Sequence, residues 1–215
     1  MHVTTRVRGV SGLRYKKIVI GLDQSYTNTG IAIAGDGKVL LARNIDTSRC
    51  TSKTEKRRCI ALAVSKAIEA AKLQSSNVIV ISERIRVFNG QALSLSYVST
   101  TGALVGTIAD VCYDAVVKHY SADTRAWKAA IVGTTKSASK GPKNVNLNKI
   151  PTLKYVLKRP DVQRCWIVKP IGKRCKSYDV LEQGVPCKYD DDVADAICIA
   201  LYGFCKKRSL LPEKI

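Results

Sequence analysis

Three short apolar segments near the start of the chain most constrain its fold. They are residues 18–23 (IVIGLD), 31–34 (IAIA) and 39–42 (VLLA), with the turn sequence GDG at 35–37 between the last two. Runs of β-branched and apolar residues bounded by turn residues predict buried strands, and a short glycine-containing turn predicts a hairpin. The chain therefore opens with a predicted antiparallel meander. An amphipathic helix is predicted to follow at 53–73, where apolar residues recur at intervals of three and four.

The rest of the chain alternates further strands with helices. The patterns predict strands at 77–82 and 116–120, and helices at 90–115, 123–132, 150–158 and 190–205. Ser121 or Asp123 is expected to cap the helix at 123–132, and Gly133 to end it. Residues 136–176 outside the short helix are expected to be loop. These elements predict an α/β fold with a mixed five-stranded sheet flanked by helices, rather than a purely parallel sheet.

Net charge is the most unusual property of the composition. Lys and Arg number 36 against 17 Asp and Glu, so the formal charge is +19 at neutral pH. A chain this basic is expected to bind a polyanion, most commonly nucleic acid. A membrane surface is the weaker alternative, because no long basic amphipathic helix is evident and no apolar run approaches the ~18 residues of a membrane-spanning helix. The N-terminal residues also lack the apolar core of a secretory signal, so we expect a cytoplasmic protein.

Charge also suggests how the chain is organised. Residues 1–16 are predicted to be a basic arm, 17–205 a single domain, and 206–215 a C-terminal tail. The domain is expected to contain a basic insert at about 136–187, where residues 136–176 carry twelve Lys or Arg against one acid. Both basic segments are suited to contact phosphates. An organellar targeting sequence at 1–17 is a less favoured alternative.

The eight cysteines do not suggest a disulfide framework. They include no CxxC pair, and three of them fall in apolar, helix-like stretches, namely Cys112, Cys198 and Cys205. Buried cysteine behaves as a small apolar residue, so we expect reduced thiols. A zinc site formed by Cys165, Cys175 and Cys187 is a minor alternative, because their spacing is unlike that of metal ligands.

Four carboxylates occur in otherwise apolar segments of the chain. Asp23 ends the first strand and Glu83 follows the fourth, while Asp192 and Asp195 share one face of the last helix. If the two strands are parallel neighbours, all four side chains reach the carboxyl edge of the sheet. Clustered carboxylates repel unless a cation is bound, and oxygen ligands favour Mg²⁺ or Mn²⁺. Two such ions can promote phosphodiester hydrolysis, so these acids in a basic chain predict a nuclease.

Each acid also has a structural interpretation. Acids at 190–192 favour the positive end of a helix dipole, and Asp23 can cap a turn. Asp195 is harder to explain in this way because it lies deeper in an apolar helix. His119 on a predicted strand is expected to be packed or at the surface rather than catalytic.

Motifs around these acids occur in a characteristic order. They are IGLDQSYTNTG at 20–30, ISE at 81–83, QALSL at 91–95 with TG at 101–102, AWKAAIVG at 126–133 and DVADA at 192–196. In order and rough spacing, over about 17–135 and 188–203, the chain resembles the RuvC-like Holliday-junction resolvases. These belong to the ribonuclease-H/integrase-like nuclease superfamily. The resemblance implies a ribonuclease-H-like fold and a Mg²⁺-dependent endodeoxyribonuclease that resolves four-way DNA junctions by paired symmetric nicks.

The resemblance also implies roles for individual residues. Asp23, Glu83, Asp192 and Asp195 would ligate two Mg²⁺ ions, for which Mn²⁺ can substitute, and Lys128 would neutralise phosphate near the scissile bond. Phe88 would be a wedge at the junction centre, with core packing as an equal alternative. The residues expected to contact DNA are Arg84, Arg86, Lys136, Lys140 and Lys143. A homodimer through the helix at 90–115 is implied, and no small-molecule cofactor is expected.

The chain departs from the family pattern in three ways. Gln24 replaces the family's proline, the 136–187 segment is longer than in cellular members, and the basic N-terminal arm is additional. These differences favour a phage, viral or organellar member and leave open a broader branched-DNA nuclease. A non-catalytic DNA-binding protein on the same fold is a further alternative. An actin-like ATP-binding enzyme is the least favoured, because the sequence lacks a second phosphate loop and the charge argues against it.

Overall fold

The structure is a computed structural model. It describes residues 15–84, 95–133, 150–170, 180–182, 185–205 and 210–212. Predictions for the rest of the chain lie outside the described residues. They concern most of the N-terminal arm, the part of the basic insert that contains Lys136, Lys140 and Lys143, and the segment with Arg86 and Phe88.

The five predicted strands form one mixed sheet. They are β1 (Ile18–Asp23), β2 (Thr29–Gly35), β3 (Lys38–Ile45), β4 (Val78–Glu83) and β5 (Lys118–Ala122). The spatial order is β3-β2-β1-β4-β5, in which β2 is antiparallel to both of its neighbours and β1, β4 and β5 are parallel. The predicted meander and the predicted α/β class are therefore confirmed. The carboxyl ends of β1 and β4 lie side by side at one edge of the sheet, which we call the carboxylate edge.

The predicted helices are present with small shifts at their ends. They are α1 (Lys53–Lys72), α2 (Leu95–Asp114), α3 (Thr124–Trp127), α4 (Ile150–Leu157) and α5 (Asp191–Tyr202). Asp123 caps α3 by accepting hydrogen bonds from the N–H groups of Arg125 and Ala126. The helix then continues as one π-helical turn, Lys128–Val132, which Gly133 ends with a φ of 79°.

Alternating side chains of the central strands pack on opposite faces of the sheet. Ile18, Ile20 and Leu22 of β1 face α1 and α2, whereas Val19 packs with α5. This two-residue alternation is that of a strand buried on both faces. The α1–α2 layer and the α5 layer thus enclose the sheet, and both meet the carboxylate edge.

Part of the basic insert forms a second sheet, which corrects the prediction that it is loop outside α4. The strands are β6 (Val168–Pro170), β7 (Val180–Glu182) and β8 (Val185–Tyr189), with antiparallel pairing in the order β6-β8-β7. Strands of three to five residues among prolines and lysines contain too few positions to show a periodic pattern.

A sixth strand extends the main sheet beyond β5. It is β9 (Leu210–Pro212), which pairs antiparallel with β5 inside the segment that the sequence analysis assigned to the C-terminal tail. Three residues give no sequence signal for a strand, so only the tertiary pairing identifies this one.

An ion pair within the segment at 150–170 bonds to the backbone of the β2–β3 hairpin. Arg159 donates to both carboxylate oxygens of Asp161, at 2.9 and 2.7 Å, and to the carbonyl of Gly37 at 3.1 Å. The Val39 N–H donates to Asp161 at 2.7 Å. Burial opposes ionisation of Asp161, but these hydrogen bonds outweigh it and lower its pKa.

The structure describes the side chains of six cysteines, and all six are free thiols. Cys112 on α2 and Cys198 on α5 are buried, as predicted, and burial raises the pKa of Cys112 to about 12. Within the described ranges no helix combines the length and the apolarity needed to cross a membrane.

Candidate active site

Asp23 and Glu83 end two neighbouring parallel strands. The last paired residues of β1 and β4 are Leu22 and Ser82, and each acid follows directly. Neighbouring strands are about 4.8 Å apart, so the two backbones hold these carboxylates side by side. Both side chains are half-buried at the carboxylate edge.

Gln24 joins the two strands just beyond this point. Its Oε1 accepts a hydrogen bond from the Glu83 N–H at 3.0 Å, and its Nε2 donates to the Glu83 carbonyl at 2.5 Å. The Gln24 side-chain amide therefore bonds to both the N–H and the carbonyl of Glu83, in the way that the backbone of a paired strand residue would. This contact fixes the backbone of Glu83 relative to Asp23.

Helix α5 approaches the sheet closely because two strand positions are glycine. A Cβ on Gly30 would overlap the backbone of Asp192, and a Cβ on Gly21 would overlap the backbone of Ala196 and Ala200. Gly30 is the antiparallel partner of Asp23 in the β1–β2 ladder. The first turn of α5 is therefore packed against the residue opposite Asp23, which brings Asp192, and Asp195 one turn later, to the carboxylate edge.

The acids at the start of α5 have different roles. Asp190 is the N-cap residue, since its side chain accepts a hydrogen bond from the Val193 N–H at 3.2 Å, and it is buried. Asp190, Asp191 and Asp192 have carboxylate oxygens within 4.8 Å of one another, which is a spacing that can hold a metal ion. Among the described residues, the predicted set of Asp23, Glu83, Asp192 and Asp195 does not come together within that distance as a group.

An asparagine pair orients Asp192. The Asn28 side-chain amide donates to the carboxylate of Asp192 and, at 3.4 Å, to Asp190. The amide of Asn44 on β3 donates in turn to the Asn28 carbonyl oxygen. Ser25 holds this loop by accepting from the Asn28 N–H at 3.0 Å. The β1–β2 loop thus links the acids of α5 to the end of β1.

Trp127 and Lys128 flank the site from the α3 side. The Nε1–H of the buried Trp127 donates to Glu83 Oε1 at 3.2 Å, which holds the carboxylate in one orientation. Lys128 Nζ lies 5.1 Å from the centroid of the Trp127 ring. Its charge also acts on Cys198 of α5, whose pKa is raised by burial and next by the nearby Asp195. Lys128 therefore lies beside the ring that holds Glu83 in place.

Other predicted residues have less specific surroundings. Arg84 is exposed directly after Glu83, with its backbone N–H bonded to Ala122 at 2.9 Å. His119 is buried, and its Nε2 lies 2.9 Å from the Ser82 hydroxyl, so it is packed as predicted. Arg86, Phe88, Lys136, Lys140 and Lys143 lie outside the described residues.

Sequence reasoning gave no role to the residues that orient the acids. Gln24, Asn28 and Trp127 stand inside motifs quoted from the sequence, but their contacts with Glu83 and Asp192 depend on the register between distant elements. Asn44 has no motif of its own, and only its place in β3 opposite Gly30 brings it to Asn28. An amide side chain in, or opposite, the loop that follows Asp23 is the signal that would have suggested Gln24, Asn28 and Asn44.

The donor set fits a hard divalent cation. Carboxylate oxygens without histidine or thiolate ligands favour Mg²⁺ and Mn²⁺ over zinc. Amide and indole N–H groups that bond to ligating carboxylates are the usual outer-shell partners of such sites. The residues at the carboxylate edge therefore match the metal that the sequence predicts.

Similarity to known proteins exists at the level of structure. No family model matches the sequence, and no curated protein matches it. The Thermus thermophilus RuvC structure superposes with a TM-score of 0.55 at 17% identity, over 91% of this chain and 99% of that one. T. thermophilus RuvC in complex with a Holliday junction substrate gives a TM-score of 0.53 at 18% identity, over 87% and 93%. The yeast mitochondrial Holliday junction resolvase Ydc2 gives 0.49 at 15%, over 89% and 79%. The two RuvC comparisons show that this chain has the ribonuclease-H-like fold of RuvC, as predicted.

Proposed function

We propose that this protein is a structure-specific DNA endonuclease that resolves four-way (Holliday) junctions. The observation that carries the proposal is the contact of α5 with β2 at Gly30, which packs the backbone of Asp192 against the strand partner of Asp23. Acids from two strands and a helix then lie along one edge of the sheet, in a chain with a charge of +19. The fold shared with RuvC, one of whose structures is a complex with a Holliday junction substrate, supports the choice of substrate.

The proposed metal ligands are Asp23, Glu83, Asp192 and Asp195, with two Mg²⁺ ions per site and Mn²⁺ as a substitute. Divalent ions in such a site activate water and stabilise charge on phosphodiester oxygens. The protein's own contribution is to hold the acids in fixed orientations. Trp127 fixes the Glu83 carboxylate, and Asn28 fixes that of Asp192.

The cations near the acids have a complementary task. Lys128, stacked near the Trp127 ring, is suited to neutralise a phosphate next to the scissile bond. Arg84 follows Glu83 directly and is exposed, so it can contact the strand that enters the site. The proposal keeps Phe88 as the junction wedge and Arg86, Lys136, Lys140 and Lys143 as DNA contacts.

Paired symmetric cleavage requires two sites, so we propose a homodimer. Helix α2 offers a surface for it, because Val98 and Tyr113 are exposed apolar side chains on its outer side. A Cβ on Gly102 or Gly106 would meet open space there, so a second helix has room to approach closely. A broader branched-DNA nuclease would use the same chemistry and differ only in the substrates it cuts.

Asp195→Asn tests the proposed site. Asn has nearly the same shape but no charge, so we expect the variant to bind a labelled four-way junction with wild-type affinity and to cut it at least 100-fold more slowly in Mg²⁺. Asp114→Asn is the matched control, because Asp114 is exposed at the end of α2, away from the carboxylate edge. Wild-type cleavage by Asp195→Asn would remove this residue from the site. Junction binding without cleavage by the wild-type protein would instead favour a non-catalytic DNA-binding protein.

A further inference from the structure

A second concentration of positive charge lies between β3 and the first turns of α1. Residues 49–58 (RCTSKTEKRR) contain five cations and one acid. We call the five cations the basic ledge; they are Arg49, Lys53, Lys56, Arg57 and Arg58. Three of them are exposed and two, Lys56 and Arg57, are half-buried. The DNA contacts expected from the sequence lie elsewhere, and this segment is expected from the sequence only to begin the helix at 53–73.

The two acids next to the basic ledge accept hydrogen bonds from residues close to them in the chain. Glu55 accepts hydrogen bonds from the N–H and the hydroxyl of Thr51, at 2.7 and 2.9 Å, and forms a capping box with Ser52. The hydrogen bonds from Thr51 lower the pKa of Glu55, so it is ionised as part of the cap. Asp46 accepts from the Ser48 N–H at 2.9 Å. The five cations therefore exceed the nearby acids by three charges, and both acids are used to shape the turn.

The ledge meets the carboxylate edge. Strand β3 ends at Ile45, whose partner is Thr29 at the start of β2, and the next loop is fixed by the Thr47 hydroxyl donating to the Tyr26 carbonyl at 2.9 Å. Tyr26 belongs to the loop that follows Asp23. The Tyr26 hydroxyl donates to the Thr100 carbonyl on α2 at 3.1 Å, and Lys53 of the ledge donates to the hydroxyl of the same residue, which places Lys53 next to this loop.

The ledge and the acids of α5 approach this edge from opposite faces of the sheet. Helix α1 packs on the β1 face that carries Ile20 and Leu22, whereas α5 packs on the other face. Lys53 Nζ is 3.1 Å from the Thr100 hydroxyl on α2, so the ledge borders the groove between the two helices. Lys53 and Arg57 are one helical turn apart, about 6 Å along the axis. A nucleic-acid strand that crosses the edge at the acids would pass directly onto these cations.

We propose that the basic ledge binds the sugar-phosphate backbone of the DNA strand on the α1 side of the cleavage site. The inference rests on the proposed nuclease function and adds a phosphate-binding surface to it. Lys and Arg side chains that contact phosphates contribute affinity without sequence preference, and they make that affinity depend on salt. The ledge is therefore expected to position DNA rather than to take part in the chemical step.

The test compares two double variants that each remove two positive charges. Lys53→Gln with Arg57→Gln changes the ledge. Lys66→Gln with Lys118→Gln is the control, because both residues are exposed and lie away from the ledge. Lys66 is further along α1, and Lys118 begins β5, at the end of that strand opposite to the carboxylate edge. Affinity for a fluorescent four-way junction is measured in EDTA over a range of salt concentrations. Circular dichroism melting shows whether each variant is folded.

We expect the ledge variant to bind roughly tenfold more weakly near 0.15 M salt, with a slope of log K against log salt smaller by about 1.8, from about 0.9 per lost phosphate contact. The control should keep the wild-type slope. Arg49→Gln, at an exposed residue of the preceding loop, should lower the slope by about half as much and serves if the double variant is unstable. A folded ledge variant with the same slope as the control would overturn the proposal.

The two proposals fail in different ways. If the wild-type protein cuts junctions and the ledge variant binds like the control, the ledge inference is wrong and the nuclease stands. If the wild-type protein binds without cutting in Mg²⁺ or Mn²⁺, the nuclease proposal is wrong, while the salt slopes still show whether the ledge contacts phosphate.

Discussion

Gln24→Met is the most informative single substitution away from the acids themselves. Methionine has nearly the length and volume of glutamine but cannot replace either hydrogen bond to the Glu83 backbone, at 3.0 and 2.5 Å. The Glu83 N–H would lose its acceptor and the Glu83 carbonyl its donor. Only the β1–β4 strand pairing, which ends at Leu22 and Ser82, would then hold the half-buried end of β4 in place relative to β1.

The size of the effect follows from these two bonds. A typical intramolecular hydrogen bond contributes about 0.5–1.5 kcal/mol net, so the free energy of unfolding should fall by about 1–3 kcal/mol. Because Gln24 positions a proposed metal ligand, cleavage should fall further than this loss of stability would suggest. Removing an outer-shell partner typically costs about 10–100-fold in metal affinity or activity, and we expect a loss in that range.

Two assays separate positioning from general damage. Urea unfolding gives the stability change, and junction cleavage at increasing Mn²⁺ shows whether excess metal restores activity. Partial rescue by metal is expected, because a displaced ligand weakens ion binding rather than removing it. Gln163→Met, at an exposed position, is the matched control and should resemble the wild type in both assays. Cleavage by Gln24→Met within twofold of wild type at low Mn²⁺ would refute the positioning role.

Three further predictions concern single contacts. Trp127→Phe keeps an aromatic ring but removes the hydrogen bond to Glu83 and leaves part of a fully buried space unfilled. Cleavage should fall about tenfold, with a stability loss of about 1–3 kcal/mol; unchanged cleavage would contradict this. Gly21→Ala places a Cβ on the α5 backbone and should lower the unfolding free energy by about 1–3 kcal/mol, while Gly106→Ala, in open space on α2, should be neutral or stabilising by up to about 1 kcal/mol. Asp161 has a lowered pKa, so its stabilising contribution is present above the unfolded pKa of about 4 and is lost as the pH falls through the lower folded value. Asp161→Asn should therefore lower Tm at pH 7 and flatten its decrease in acid, and an unchanged Tm at pH 7 would refute this.

The main sheet was predictable because its strands are long enough to show a pattern. Runs such as 18–23 and 77–82 carry β-branched residues bounded by turns. That these two strands are parallel neighbours was a condition of the sequence argument, and the structure meets it. The second sheet and β9 were not predictable. Their strands contain three to five residues, and their pairing depends on contacts between distant segments.

The places of Asp23 and Glu83 at strand ends could be predicted from the sequence, whereas the contacts that orient the acids could not. Asp23 and Glu83 follow apolar strands, a pattern that a sequence displays directly. That Asp190 caps α5 while Asp192 bonds to Asn28 is decided by the backbone at the start of the helix. The contacts of Gln24 and Asn44 likewise depend on strand register, which no local pattern specifies.

The most direct test of the account is cleavage of a labelled synthetic four-way junction in Mg²⁺, beside a linear duplex of the same sequence and the Asp23→Asn variant. The account predicts symmetric nicks in opposing strands of the junction, an intact duplex, and no cleavage by Asp23→Asn although it binds the junction. Cleavage that persists in Asp23→Asn, or tight junction binding by the wild type without any cutting in Mg²⁺ or Mn²⁺, would contradict it.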